Sequence, residues 1–200
     1  MKNVVVYVHG KGGNAGEAKR YKPLFTGCEV VGFDYRSQTP WDAKREFPLY
    51  FSGLRNGFSR VFLIANSIGA YFCLHALTNG EIDRAFLLSP VVSMEKLIEK
   101  MMFRACVTED DLREKREIPT AFGETLSWAY LKYVREHPIG TVFPSEILYG
   151  EKDEMTDFET VSDFARRTGA GLTVMKGGEH WFHTDEQMKF LDTWLKGLIR

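Results

Sequence analysis

Ser67, Asp153 and His180 are the residues of this chain whose types, order and surroundings suit them to chemistry. Ser67 lies in Ala65-Asn-Ser-Ile-Gly69, between an apolar run at 60–64 that predicts a buried strand and another at 70–77 that predicts a buried helix. A serine hydroxyl is a weak nucleophile unless it is held clear of its own backbone and beside a base. A tight strand-to-helix turn does this by crowding its neighbours, which must then be small, as Ala65 and Gly69 are. The competing reading is a serine that only caps a helix.

An acid and a histidine follow in that order, each just after a short apolar strand candidate. The segment 146–149 runs into Gly150-Glu-Lys-Asp153, and 172–175 runs into Lys176-Gly-Gly-Glu-His180. Loops at the carboxyl ends of parallel strands converge on one edge of a sheet, so Ser67, Asp153 and His180 are expected to meet there. The histidine would take the serine proton and return it to the leaving group, while the carboxylate fixes its tautomer. Glu151, Glu154 and Asp157 compete with Asp153, and His183 competes with His180. A metal reading of His180-x-x-His183 beside Asp185 lacks a matching Cys/His set, so neither metal nor cofactor is expected. The first strand, 3–8, enters His9-Gly10-Lys11-Gly12-Gly13, a turn able to aim a backbone N–H at a developing oxyanion. Lys11 N–H is the first expected donor and Ile68 N–H the second.

With His9-Gly10, Ala65-Asn-Ser-Ile-Gly69, Gly150-Glu-Lys-Asp153 and Gly178-Glu-His180 in this order, nearly the whole chain resembles the α/β-hydrolase family in its compact serine-hydrolase form. The resemblance implies hydrolysis of a small-molecule ester, thioester or amide through an acyl-enzyme. Two departures stand out. Ala65 replaces the usual first glycine of the elbow, and the chain starts at what looks like the family's third strand, which implies six mostly parallel strands rather than eight.

Short apolar strands near 3–8, 29–34, 60–65, 84–89, 146–149 and 171–176 alternate with helical stretches, the pattern of a parallel sheet with helices on both faces. A helix is expected over 17–24. Another is expected from Thr39-Pro40, kinked or ended at Pro48, and the elbow helix is expected to stop at Asn79-Gly80. The last helix is expected from Thr184, with Met188, Leu191, Trp194, Leu195 and Leu198 on one face. The stretch 93–145 is too long for a simple crossover, and helices are expected in its first part and at 124–136. In the family such insertions form a cap, so one domain over 1–200 with a small helical cap near 93–145 is the expectation. His9, Asn66, Met102, Trp128 and Trp181 are the candidate pocket residues, favouring an apolar acyl or aryl group. His9 is also read as ordering its loop, and His75 and His137 as packing or surface residues.

A net charge of −1 gives no reason to expect nucleic acid, and no run approaches the roughly 20 apolar residues of a membrane span. Three cysteines form no framework, and the start of the chain reads directly into a strand without a signal peptide, so a cytoplasmic, reduced protein is expected; oligomeric state is not encoded legibly. The rival reading is a Rossmann-type oxidoreductase. Gly10-x-Gly12-x-x-Ala15 satisfies a dinucleotide fingerprint, and Asp34 closes the second strand where a ribose-binding carboxylate would stand. On the hydrolase reading, Asp34 is structural, bonding backbone or pairing near Arg36. A third reading is a non-catalytic hydrolase-fold binding protein, for which an ordered Ser, Asp and His would have no physical need.

Overall fold

The computed structural model describes residues 2–140 and 143–198. Six strands form one parallel sheet in the order β2-β1-β3-β4-β7-β8: β1 Asn3–Val8, β2 Cys28–Gly32, β3 Arg60–Asn66, β4 Arg84–Leu88, β7 Ser145–Gly150 and β8 Gly171–Met175. The Val-rich β1 lies between β2 and β3 and is buried on both faces, which explains its continuous apolar run. Side chains alternate along it. Val5 and Tyr7 join a core with Tyr21 of the flanking 3₁₀ segment, Phe25 just after it, and Leu191 and Leu195 of the last helix, while Val4, Val6 and Val8 fall on the opposite face. The chain leaves β1 toward β2 on one side and returns through β3 to β4 on the other. The carboxyl ends of β1 and β3 therefore flank the switch point of the sheet, where ligands bind in open α/β folds.

Helix α1 (Pro40–Arg55) starts as its sequence predicts, with Thr39 Oγ1 accepting from Asp42 N–H and proline in the first turn. It runs through Pro48 instead of stopping there. Phe47 and Phe51 are fully buried on either side of the proline, in an aromatic cluster with Phe33, Tyr35 and Phe72, and that packing overrides the local penalty. Helix α2 (Ser67–Ala76) is apolar nearly all round and correspondingly buried. It ends at Ala76, ahead of Asn79-Gly80, because Leu77 turns extended and is itself buried. Between β1 and β2 the expected helix is a 3₁₀ helix over Ala15–Leu24, capped by Asn14 and Glu17. Asp34 is exposed and, among the described residues, makes neither bond expected of it. The carboxylate that organises the backbone after β2 is Glu46, which accepts from Arg36 N–H, Ser37 N–H and Ser37 Oγ–H. Helix α6 (Phe158–Thr168) joins β7 to β8, and α7 (Asp185–Leu198) closes the chain.

The chain divides into two compact units: the segments up to Val92 and after Gly140 form one, and Ser93–Gly140 the other. The second unit contains α3 (Met94–Arg104), α4 (Glu109–Lys115), a hairpin of β5 (Glu117–Pro119) with β6 (Thr125–Ser127), and α5 (Trp128–Glu136). The helix expected from 124 therefore starts at Trp128, because the preceding three residues pair with β5 across a turn containing Gly123 at φ +85°. Arg135 of α5 binds Glu95, Glu99 and Glu109, tying α3, α4 and α5 together. Among the described residues no helix is long and apolar enough to cross a membrane.

Candidate active site

β3 ends at Asn66 and α2 begins at Ser67, with no residue between them. The turn is that abrupt because Ser67 takes φ +51°, a conformation L residues seldom adopt and one that lifts the side chain out of the strand. Gly69 is required two positions later: a Cβ there would be driven into the His9 carbonyl at the end of β1. The small residues around the serine thus reflect the close approach of β1 and α2. Ala65, two residues before the serine, is fully buried and lies opposite Val8 in the ladder.

Ser67 Oγ lies 2.8 Å from His180 Nε2, and His180 Nδ1 lies 2.7 Å from Asp153 Oδ2. The Asp153 side chain is fully buried, and that of His180 is 19% exposed. Asp153 Oδ1 accepts the N–H groups of Met155 and Thr156, and Oδ2 accepts the Thr156 hydroxyl as well as the imidazole. Burial pushes the Asp153 carboxyl up, but the hydrogen bond and charge of His180 and the two backbone N–H groups outweigh it and hold the group below the usual carboxylate range. Tyr149, whose phenol burial and the Asp153 charge push up to about 12, donates to the Thr156 carbonyl and anchors the same loop.

None of the competing residues takes the place of Asp153 or His180 in this hydrogen-bonded chain, and Glu154 is exposed. Glu151 accepts from Gly177 N–H, Asp157 precedes α6 as its N-cap residue, and His183 Nδ1 lies 2.8 Å from the Trp181 carbonyl. The His180 turn is braced by Gln187, which is 5% exposed: it accepts from His183 N–H and donates to Glu179. Periodicity along α7 gave no signal for this, since a polar residue there reads as solvent-facing.

A cleft of about 370 Å³ opens at Ser67 and His180, walled by the Gly10–Gly13 turn, Glu17, Asn66, Met155 and Trp181. Lys11 is in this wall, and Ile68 is the second residue of α2, where a backbone N–H has no acceptor four residues back. Met155 and Trp181 are unusually exposed for large apolar side chains, Trp181 at 68%. His9 is not in the wall among the described residues. Its ring stacks on Tyr35 at 4.4 Å and its Nδ1 meets the Gly10 carbonyl, the loop-ordering arrangement. Met102 and Trp128 belong to the second unit, where Met102 is buried on the face of α3 that carries Ile98. His75 stacks on Tyr71, and His137 on Tyr133.

Two residues of this edge were not foreseen. Glu17 accepts from Tyr7 Oη–H at 2.5 Å and Asn14 N–H at 3.1 Å, and its oxygens crowd the position a Gly13 Cβ would take. The Asn14-x-x-Glu17 spacing is a capping-box signature, so the sequence did carry a signal for it. Met155 had none. Glu17 also bears on the dinucleotide reading, because a pyrophosphate at the Gly10–Gly13 turn would meet a carboxylate. The sheet order departs as well from the 3-2-1-4-5-6 arrangement of dinucleotide domains. Among the described residues no group of three or more His, Cys, Asp or Glu is placed to hold a metal.

By sequence the chain matches no protein-family model and no curated protein. By structure it is similar to Est1E from Butyrivibrio proteoclasticus, with a TM-score of 0.77 at 14% identity over 100% of this chain and 87% of that one. Mouse alpha/beta hydrolase domain-containing protein 10 gives 0.76 at 16% identity over 98% and 89%, and the monoacylglycerol lipase of Paleococcus ferrophilus gives 0.61 at 18% over 97% and 94%. Parallel order, switch point and these likenesses agree: the chain has the α/β-hydrolase fold, with six strands in its main sheet among the described residues.

Proposed function

We propose that the protein is a serine hydrolase that cleaves a small carboxylic ester, or a related thioester or amide, through an acyl-enzyme on Ser67. The observation that carries this reading is the continuous hydrogen-bonded chain Ser67–His180–Asp153, built on a serine held at positive φ. A positive φ at a non-glycine residue costs stability, and such strain clusters at functional sites. A serine serving only as a helix cap does not need it.

In this reading His180 Nε2 accepts the Ser67 proton as Oγ attacks the acyl carbon, and the imidazolium then protonates the leaving group. Asp153, kept ionised, holds the Nδ1–H tautomer and stabilises the cation. The N–H groups of Lys11 and Ile68 receive the oxyanion. Water, activated by the same histidine, releases the acid. Exposed Met155 and Trp181 suit an apolar group on the substrate. Among proteins of the same fold, one is a monoacylglycerol lipase and Est1E has been solved with ferulic acid bound, in keeping with a carboxylic acyl group here.

A fluorophosphonate probe should label the native chain at Ser67 and leave Ser67→Ala unlabelled, and His180→Ala should lose ester turnover nearly as fully as Ser67→Ala, by about 10⁴- to 10⁶-fold. Labelling that survives Ser67→Ala would overturn the assignment.

A further inference from the structure

A second cavity adjoins the cleft at Ser67, although Ser67 and His180 themselves line only the cleft. The second cavity, of about 320 Å³, shares Glu17, Asn66 and Trp181 with the cleft and is at the lower end of the roughly 300–1,000 Å³ range of small-molecule sites. Its remaining walls are mainly apolar: Tyr7, Tyr21, Leu88, Phe182, Met188 and Leu191. The two formal charges on the wall each have a protein partner, although Arg20 Nη1 is buried without a hydrogen-bond partner among the described residues. Arg20 pairs with Asp192 at 2.9 Å and lies over the Tyr21 ring, and Glu17 accepts from Tyr7 and Asn14. His183, also in the wall, is oriented by the Trp181 carbonyl and by Glu179 at 3.4 Å. With the arginine charge offset by Asp192 and most of the wall apolar, such a cavity fits a neutral, mainly apolar group.

Which half of the substrate it takes follows from proton traffic. On the serine-hydrolase reading, His180 Nε2 must pass the Ser67 proton to the departing atom, so the leaving group lies on the histidine side of the nucleophile. Trp181, Phe182 and His183, the three residues directly after His180, all line the second cavity, whereas the Gly10–Gly13 turn lines only the first. We propose that the second cavity is the leaving-group site, and that the preferred substrate is an ester whose alcohol is uncharged, apolar and about one ring in size. The inference rests on Ser67 being the nucleophile. In acylation the Ser67 Oγ–acyl bond forms, the bond from acyl carbon to alcohol oxygen breaks, and the serine proton leaves on that oxygen by way of His180. In deacylation water supplies the second oxygen and the alcohol is absent, so the cavity should affect the first step alone.

The test uses the intact chain with acetate esters of ethanol, 2-cyclohexylethanol and 2-phenylethanol, alcohols of similar acidity, and with ethyl esters of acetic and 3-phenylpropionic acids. Met188→Trp would fill the cavity and Met188→Ala would widen it. Met188→Trp should lower kcat/KM for the two ring-bearing acetates about tenfold or more relative to ethyl acetate, and leave the ratio between the two ethyl esters unchanged. Met188→Ala, which keeps the assay informative if the larger variant misfolds, should relax the preference toward bulkier alcohols. Deacylation of the common acetyl-enzyme, measured after a burst, should be the same in all variants. A change in the ethyl-ester ratio instead, or no change in either series, would overturn the leaving-group site while the burst still reported an acyl-enzyme. Absence of any acyl-enzyme in the native chain would remove the Ser67 reading, and the inference with it.

Discussion

Replacing Asp153 by asparagine separates orientation from charge without changing the shape of the side chain. The amide oxygen can still take the Oδ1 position and accept from Met155 and Thr156 N–H at 2.8 and 2.9 Å. The amide nitrogen then falls at Oδ2, where the native chain accepts from Thr156 Oγ1 at 3.0 Å and pairs with His180 Nδ1 at 2.7 Å. An NH₂ group donates to both, so the imidazole must present a bare Nδ1 to it and carry its proton on Nε2, facing Ser67 Oγ. In that tautomer it cannot act as a base. The expected loss is about 10⁴ in kcat, equivalent to about 5.5 kcal/mol of transition-state stabilisation at about 1.36 kcal/mol per factor of ten. Folding should suffer much less, by about 1–2 kcal/mol, since a charge-assisted bond is exchanged for neutral ones and no buried partner is abandoned. The carboxyl titrates lower in the folded chain than its unfolded value near 3.9. Its contribution to stability is therefore fully present above that unfolded value and is lost as pH falls through the folded one. The stability gap between the native chain and Asp153→Asn should close as pH falls below about 4, where the carboxyl takes up its proton. Stopped-flow burst kinetics with p-nitrophenyl acetate and thermal unfolding across pH measure both quantities. A variant retaining more than about a tenth of native kcat, or a stability gap that widens in acid, would refute this account of Asp153.

Gly69→Ala should cost about 1–3 kcal/mol of stability and most of the esterase activity, because its methyl group forces the end of β1 away from the elbow; unchanged melting temperature and turnover would show that the close approach to His9 is dispensable. In the second unit, Arg135→Ala removes the partner shared by Glu95, Glu99 and Glu109 and should destabilise the chain by about 1 kcal/mol. Because the arginine side chain is 31% exposed, that loss should shrink in 1 M salt, and a salt-independent loss would point to packing by its aliphatic stem instead.

The sequence by itself determined the elements of the first unit and the order of its reactive residues. Val-rich β1, the small residues flanking Ser67 and the two strand-to-loop passages ending at Asp153 and His180 are local patterns, and local patterns are what hydrophobic period and turn chemistry report. Competition among near neighbours could not be settled in the same way. Whether Asp153, Glu151 or Asp157 faces the imidazole depends on backbone directions after β7 and β8, two strands whose pairing brings residues 27 apart in sequence within 2.7 Å. Tertiary packing likewise carried α1 through Pro48, where buried Phe47 and Phe51 outweigh a missing backbone bond, and paired 125–127 with 117–119 where helical pattern alone extended α5. It also gave Glu46 the task assigned to Asp34 and buried Gln187 beneath the His180 turn. The second cavity is the extreme case. Its walls come from β1, the ends of β3 and β4, the 3₁₀ helix, the segment after His180 and α7, so no spacing in the chain announces it, and only the folding of those elements onto one sheet edge creates it.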